Sequence, residues 1–278
     1  MHCASGSSKD EGGFIGTLTA FECWMSFPQE NKTYTVFTPF KNTWLKHLGS
    51  NPSLLNLRPA PSPNTRPFTD EQRVYFKSHS EIPDAADIHP TFRAFLADGD
   101  DAKKRLEHIR ASFPAGPGEA RTRLTTFVAT HAVKYGVERN LPSPLTLTEF
   151  NGSSRLSPYL SAGLLSARSC IVAAKNANNG KLDSGTDGLV TWVSELCWRD
   201  FYRHILDAFP RVCKGKAFKE DTEKVEWSYD ETALQKWKEG KTGFPIVDAG
   251  MRQLLKEGWM HNRLRMIVVR AVGIIWDR

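Results

Sequence analysis

The stretch DGLVTWVSELCWRDFYRHILDAFP, residues 187–210, carries the strongest helical pattern in the sequence. Its apolar side chains recur with the period of an α-helix, which predicts an amphipathic helix with one buried face. These apolar positions are 189, 192, 193, 196, 197, 201, 205 and 209. Because proline is poorly tolerated inside a helix, Pro210 is predicted to end it.

The segments around this helix are predicted to be helical too. The first is residues 122–140, with apolar side chains at 124, 127, 128, 132 and 133. In residues 151–180 a polar cap precedes the helix, residues 243–258 are predicted to be helical from about 246, and residues 259–278 begin as a helix. Asn179-Gly180 ends the second of these segments and Gly258 the third. The chain beyond residue 120 is therefore predicted to be mainly α-helical.

The N-terminal part of the chain is less regular. TYTVFTPF, residues 33–40, alternates apolar and polar side chains and predicts a strand that ends at Pro39. KNTWLKHL, residues 41–48, follows as a short helix. Residues 49–72 are dense in Pro, Ser and Asn, which is typical of a linker, and FPAGPGEA at 113–120 interrupts the chain a second time.

Composition excludes several classes of protein. The 278 residues carry 37 Lys and Arg against 31 Asp and Glu, a net charge of +6, which permits a nucleic-acid partner without requiring one. No apolar run approaches the roughly 18 residues of a membrane span, and no secretory signal is recognisable. The five cysteines are odd in number and lack metal-like spacing, so we expect reduced thiols and no metal site.

Tryptophan is concentrated near the central helix. Six of the eight tryptophans lie between residues 192 and 276, within a region whose basic stretches 196–219 and 251–278 flank an acidic one at 220–239. Clustered indole rings favour a site for a flat ligand or for bases. The charge pattern alone is equally typical of a solvated surface.

Three groups of polar side chains could form that site. Ser153, Ser154 and Ser157 stand at a helix start, where hydroxyls either cap backbone amides or accompany a bound phosphate.

The second group lies on the central helix, where Trp192, Glu195 and Arg199 line one side. Trp198 and Tyr202 lie nearby. Glu195 and Arg199 have the spacing of an i,i+4 ion pair, so this group could also be a simple surface pair.

The third group is WMHNRLRM at 259–266, in which Asn262, Arg263, Arg265 and Met266 fall within about one turn. Such amide and guanidinium groups can bind phosphates, bases or a cofactor ring. No phosphate-loop, dinucleotide-binding or nucleophile-elbow motif is present. Spacing and composition thus predict a helical domain with an aromatic, basic ligand site.

Four ordered blocks resemble the flavin domain of the DNA photolyase/cryptochrome family. They are SSRLSPYLSAGLLSAR at 153–168, WVSELCWRDFYRHIL at 192–206, WKEGKTGFPIVDAGMRQL at 237–254 and GWMHNRLRM at 258–266. YTVFTPFKNTW, at 34–44, resembles the segment that closes the family's N-terminal antenna domain. The resemblance implies a mainly α fold with a remnant of the α/β antenna domain at 1–45, a linker region at 46–120, and the first half of a helical FAD- and DNA-binding domain at 121–278.

The resemblance also implies roles for individual residues. Those expected to contact FAD are Tyr135, Ser153, Ser154, Arg155, Leu156, Ser157, Trp192, Glu195, Arg199, Asn262 and Arg265. Those expected to face DNA are Arg139, Glu195, Trp198, Arg199, Tyr202, Asn262, Arg263 and Met266. Glu195, Trp198 and Asn262 match lesion contacts, and Trp227 matches the outermost tryptophan of the photoreduction chain. Asn140 stands where the family usually has Asp.

The implied activity is light-dependent DNA repair. In the family, excited reduced FAD donates an electron to a flipped-out cyclobutane pyrimidine dimer, which splits and returns it. The expected enzyme is a deoxyribodipyrimidine photo-lyase, a carbon–carbon lyase. Its partner would be damaged DNA, and it is expected to be a monomer, without a membrane partner, inside the cell, with the nucleus favoured over the mitochondrion. A cryptochrome photoreceptor without repair activity is the alternative, although animal-type cryptochromes usually place His-His where His261-Asn262 stands.

The sequence departs from the family at both ends. Most of the antenna domain is missing, so a site for an antenna pigment, methenyltetrahydrofolate or a deazaflavin, is not expected. The family continues beyond its equivalent of Met266 with the rest of the flavin pocket, whereas here VRAVGIIWDR follows. These departures favour a partial or mis-spliced gene product. The isolated chain is then expected to hold FAD weakly or not at all and to repair poorly, or to be a non-functional fragment that aggregates.

Overall fold

The computed structural model describes residues 33–57, 59, 69–72, 74, 99–140, 152–224 and 230–276, and within these ranges the chain forms helices and no strand. Its α-helices include α1 (Phe37–Ser50), α2 (Gly99–Ser112), α3 (Pro117–Thr130), α4 (Tyr135–Glu138), α5 (Ser157–Ser161), α6 (Ala167–Ala177), α7 (Asp187–Ala208), α8 (Pro210–Cys213), α9 (Glu231–Lys238), α10 (Pro245–Glu257) and α11 (Asn262–Trp276). Short 3₁₀ turns cover Pro52–Leu55, Ala132–Lys134 and Glu220–Lys224. The prediction of a mainly α fold is confirmed.

Helix α7 is the centre of the larger hydrophobic core. The apolar stripe predicted for it is confirmed, since its buried side chains include Leu189, Trp192, Val193, Leu196, Cys197 and Phe201. Around it pack α1, α4, α6 and the 3₁₀ turn Ala132–Lys134. The helix ends at Ala208, and Phe209 caps it immediately before Pro210.

The strand predicted for residues 33–40 is wrong, because α1 begins at Phe37. Pro39 lies in the first helical turn, where the proline's missing N–H would have had no helical partner in any case. Phe40, Trp44 and Leu48 recur every four residues, and all three are buried in the same core as α7. Packing of this stripe outweighs the local strand propensity of the TYTVFT segment.

The domain boundaries predicted from the resemblance stay a prediction. The structure does show which helices the predicted segments 1–45 and 46–120 contain. The described part of 1–45 contributes α1 to the core of α7. The region 46–120 contains all of α2 and the start of α3. Trp44 donates its indole N–H to Asp200 on α7 at 3.2 Å, so a buried polar contact also joins the two helices.

A second, smaller core lies between α9, α10 and α11. Val247, Met251, Met260 and Val268 are buried in it. The indole N–H of Trp237 donates to the Val268 carbonyl at 3.1 Å, which fastens α9 to α11. As predicted, Gly258 ends α10, and it does so in the left-handed conformation with φ 63°.

Other expectations from composition concern membranes, metals and cysteines. In the part of the chain that the structure describes, none of the helices has both the length and the apolar character of a membrane span. The same ranges contain no cluster of three or more His, Cys, Asp or Glu side chains that could hold a metal ion. Cys170 and Cys197 are buried and Cys213 is exposed, all without a disulfide, and burial raises the pKa of the Cys170 thiol to about 12.

Candidate functional site

A cavity of about 440 Å³ lies between the two cores. Its walls come from α4, the loop before α5, α5, α7 and the segment from Trp259 into α11. The side chains on these walls are Tyr135, Ser153, Ser154, Arg155, Leu156, Ser157, Leu160, Ser161, Trp192, Glu195, Leu196, Arg199, Arg203, Trp259, Met260, Asn262 and Arg265. Every residue predicted to contact FAD is among them.

The residues predicted to face DNA are not all on this wall. Glu195, Arg199 and Asn262 line the cavity, whereas Arg139, Trp198, Tyr202, Arg263 and Met266 do not. Trp227 lies outside the described residues. Arg203 and Trp259 also line the cavity and were not predicted from the sequence. Spacing could have indicated Arg203, because it follows Arg199 by four residues and Glu195 by eight and therefore lies on the same face of α7.

Glu195 is held by a partner that its spacing did not predict. The expected Glu195–Arg199 pair is absent from the structure: Arg139 Nη1 lies 2.5 Å from Glu195 Oε1, and Arg199 instead contacts Asp200 at 3.4 Å. Arg139 lies just past α4, and its guanidinium also stands over the ring of Tyr135. Burial and the nearby Glu195 carboxylate raise the pKa of Tyr135 to about 12, so its hydroxyl remains a hydrogen-bond donor at neutral pH.

The loop at 153–157 presents its side chains to the cavity, and they do not cap the following helix. No side chain caps α5, and Ser153 Oγ instead accepts the Arg155 N–H at 3.4 Å. The capping interpretation is therefore wrong for α5, and the hydroxyls of this loop lie on the cavity wall.

Arg155 has an unusual environment for a charged residue. Its backbone has φ 49°, a left-handed conformation that costs a non-glycine residue about 1–3 kcal/mol. The side chain is only 4% exposed, and its guanidinium lies 4.3 Å from the centre of the Trp259 ring. Burial lowers the pKa of this guanidinium. The strain and the burial together fix a cation on the wall, at the junction of the two cores.

The remaining DNA-facing candidates form two groups outside the cavity. Trp198 stacks on Phe37, with ring centroids 3.6 Å apart and planes 6° apart, and lies beside the exposed ring of Tyr202. One face of the Trp198 indole is therefore covered by α1. On the other core, Arg263 donates two hydrogen bonds to Asn140 Oδ1, at 3.2 and 2.6 Å, while Met266 is exposed.

Charge on the cavity wall is mostly positive. Arg155, Arg199, Arg203 and Arg265 line it, against the single carboxylate of Glu195, which is already paired with Arg139. Within the described ranges this concentration of guanidinium groups, serine hydroxyls and aromatic rings suits a ligand that carries both phosphates and a flat ring.

Comparison with known proteins agrees with this description. The family model described as the FAD binding domain of DNA photolyase matches residues 192–272. The deoxyribodipyrimidine photo-lyase of Neurospora crassa is 40% identical over 238 residues, which cover 84% of this chain and 35% of the relative. The enzyme of that name from Escherichia coli is 36% identical over 250 residues, covering 88% of this chain and 46% of the relative.

A solved structure matches at the level of the fold and the sequence. The class III photolyase from Agrobacterium tumefaciens superposes with a TM-score of 0.61 and 25% identity, over 90% of this chain and 45% of that one. The chain thus spans between about a third and a half of the length of the relatives named here. Its sequence blocks, its helical fold and the residues around its cavity agree with these matches, and by them the chain is similar to the DNA photolyase/cryptochrome family.

Proposed function

We propose that the cavity is part of the FAD site of a light-dependent DNA-repair enzyme, a deoxyribodipyrimidine photo-lyase that acts on cyclobutane pyrimidine dimers. The observation that carries this proposal is the arrangement around Glu195. Three segments far apart in sequence bring Arg139, the 153–157 loop and Asn262 to the same face of α7. The names of the relatives support the reaction.

The side chains on the wall fit FAD by their chemistry. Its diphosphate is an anion, and Arg155, Arg199, Arg203 and Arg265 supply cations, with Ser153, Ser154 and Ser157 as hydroxyl donors. Tyr135, Trp192 and Trp259 offer apolar and aromatic surface for its rings. FAD, when bound, supplies the light absorption and the one-electron chemistry that no side chain provides.

In this proposal, side chains of the protein bind the cofactor and the DNA and orient the reacting groups. Arg139 orients the Glu195 carboxylate, which can accept a hydrogen bond from the N–H edge of a base or of a cofactor ring. Asn262 can both donate and accept on the opposite wall. Trp198, Tyr202 and Met266 supply apolar surface outside the cavity for flipped-out bases, and Arg263 supplies a cation for phosphates. We propose Glu195, Trp198 and Asn262 as the lesion contacts, with Trp227 as an electron relay.

A cryptochrome photoreceptor is the alternative within the family. Asn262 favours repair, because its amide can bond the edge of a pyrimidine. Blue-light cleavage of a dimer-containing oligonucleotide separates the two functions, since a photoreceptor would bind flavin and leave the dimer intact.

We also propose that the protein acts as a monomer inside the cell, in the nucleus more than in the mitochondrion. The odd number of cysteines in the sequence, five, and their lack of metal-like spacing support a reducing compartment, and a DNA substrate supports the nucleus. Sedimentation and microscopy of a fluorescent fusion test these two points.

The proposed FAD site is tested by replacing one arginine of α11 on the cavity wall. Arg265 lines the cavity, so R265Q is expected to weaken FAD binding by about tenfold to 100-fold, the effect of losing a hydrogen bond to a charged group. Titration of the purified chain with FAD, followed by flavin fluorescence, measures the dissociation constant. We expect weak binding by the unmodified chain and poor repair.

Arg270 provides the matched control. It is exposed on the same helix and is not part of the cavity wall, so R270Q removes the same charge without touching the site. FAD binding by R270Q should match that of the unmodified chain. Equal weakening by both substitutions would reduce the effect to general electrostatics, and FAD binding by R265Q as strong as that of the unmodified chain would contradict the proposed site.

A further inference from the structure

Arg139 and Asn140 are consecutive residues that bond to two different helices of the cavity. Arg139 pairs with Glu195 on α7, and Asn140 accepts hydrogen bonds from Arg263 in the first turn of α11. Glu195 lies on the cavity wall, and so does Asn262, the residue before Arg263. Both contacts are made between side chains, over sequence separations of 56 and 123 residues. The segment that follows α4 therefore connects α7 with α11.

The contact with Asn140 fixes one edge of the Arg263 guanidinium. Asn140 Oδ1 accepts from Nε at 3.2 Å and from Nη2 at 2.6 Å, so both hydrogen bonds use the edge that these nitrogens form. The N–H groups of Nη1 and of the outer side of Nη2 are not used by Asn140. They form a second edge, which matches the spacing of the oxygens of a phosphate. Both side chains are exposed, so an anion can reach this second edge.

The acceptor for Arg263 is a neutral amide, whereas the acceptor for Arg139 is a carboxylate. The Arg139–Glu195 pair carries no net charge, so it attracts an anion only weakly. An amide oxygen, by contrast, orients a guanidinium without cancelling its charge. The sequence of α11 contains three arginines and no acidic residue. Arg263 therefore combines a fixed orientation with a positive charge that its own partner leaves intact.

We propose that Asn140 is a positioning residue for a DNA phosphate site at Arg263, whose guanidinium it orients while leaving the positive charge to the phosphate. An oriented guanidinium edge on a helix without acidic side chains favours an oxygen anion, and the phosphates of a DNA backbone supply it. This inference rests on the proposed function for its DNA partner. The contact between Asn140 and Arg263 does not depend on that function.

Asn140→Asp separates the orientation of Arg263 from its charge. Aspartate keeps an oxygen acceptor for Nε and Nη2, and it adds a negative charge that cancels the charge of the guanidinium. Loss of one phosphate contact should reduce the slope of log affinity against log salt by about 0.9, and should lower the affinity at about 0.1 M salt by about fivefold to tenfold. Fluorescence anisotropy of a labelled, undamaged duplex, at salt concentrations between about 50 and 200 mM, measures both quantities.

Asn140→Ala tests the orientation alone. Arg263 then keeps its charge and loses its fixed plane, so N140A should retain the salt slope of the unmodified chain. Its affinity should fall by about twofold to tenfold, the effect of immobilising a flexible side chain on binding. R263Q should show the reduced slope of N140D. Because Asn140 acts through Arg263, N140A should have no further effect in the R263Q background.

Asn176 supplies the matched control. It is exposed on α6 and is not part of the cavity wall, so N176D makes the same charge change at a different surface. N176D should leave the salt slope close to that of the unmodified chain. Circular dichroism shows whether each variant is folded.

A purely structural contact predicts the opposite order of the two Asn140 variants. N140D, which keeps the contact, would then bind DNA like the unmodified chain, and N140A would be the weaker variant. That result, or equal salt slopes for N140D and N176D, would overturn the role of Asn140. A chain that binds no duplex would overturn the phosphate site.

A second duplex, which contains one thymine dimer, distinguishes this inference from the proposed function. We expect the same differences in salt slope among the variants on both duplexes. If the chain bound the dimer-containing duplex no more tightly than the undamaged one and still showed these slopes, lesion recognition would be contradicted and the phosphate site supported.

Discussion

Replacing Gly188 by alanine is expected to lower the free energy of unfolding by about 3 kcal/mol or more, the upper range for overpacking a tight contact. Gly188 lies in the first turn of α7, where a Cβ would stand 2.2 Å from the carbonyl oxygens of both Ala132 and Val133. These are backbone atoms, so the helix and the 3₁₀ turn would have to separate. Chemical denaturation followed by circular dichroism measures the change.

The direction of this effect is diagnostic because alanine normally stabilises a helix relative to glycine by about 1 kcal/mol. Gly136 in α4 gives the control: its Cβ would lie 3.6 Å from Thr191 Oγ1, an ordinary contact. G136A should therefore be within about 1 kcal/mol of the unmodified chain. Equal stability of the G188A and G136A variants would show that α7 and the turn do not approach as closely as described. Separation there would also displace Tyr135 from the cavity wall.

Replacing Asp200 by alanine is expected to cost about 3–5 kcal/mol, the usual effect of removing one partner from a buried charge pair. The carboxylate is 1% exposed and accepts hydrogen bonds from Trp44 Nε1 at 3.2 Å and Arg199 Nη1 at 3.4 Å. Without it, the buried indole N–H and the cation on the cavity wall both lose an acceptor. Equilibrium denaturation measures the loss.

Asp200→Asn separates the hydrogen bonds from the charge. Asparagine retains an acceptor for Trp44, so D200N should lower the free energy of unfolding clearly less than D200A does.

Burial raises the pKa of Asp200 against the lowering effects of Arg199 and Trp44. The folded state therefore binds this proton more readily than the unfolded state, and the stability that protonation provides is lost as the pH rises through the raised pKa. D200N should remove this slope, and a D200A variant as stable as D200N would contradict the account.

The helices were largely predictable because their signals are local. The stripe of α7 and the glycine after α10 need only neighbouring residues to be recognised, and the structure agrees with both. Helix α1 was missed at its start, because Pro39 is compatible with a strand end and with a first helical turn. Only the burial of Phe40, Trp44 and Leu48 against α7 decides between them.

Most residues of the cavity wall, although not Arg203 and Trp259, were predictable by resemblance, whereas the contacts within the wall were not. The family blocks identified the wall residues on α7, in the 153–157 loop and on α11, and the structure brings them together. Spacing on α7 indicated Arg199 as the partner of Glu195, but Arg139, from 56 residues earlier, occupies that position. Spacing along a helix shows which of its own side chains can contact one another. It does not show whether a side chain from another segment will form that contact instead.

The sequence by itself determined the apolar periodicity of α7 and the end of α10, because each depends on side chains within a few turns of one another, and its resemblance to a known family indicated most residue types around the cavity. The tertiary structure decided which of these side chains hold one another: Arg139 with Glu195, Arg155 with Trp259, Asn140 with Arg263, and Trp44 with Asp200. These contacts depend on how the two cores and α1 pack together. Such packing is set by the summed burial of many distant side chains, and no local pattern in the sequence contains it.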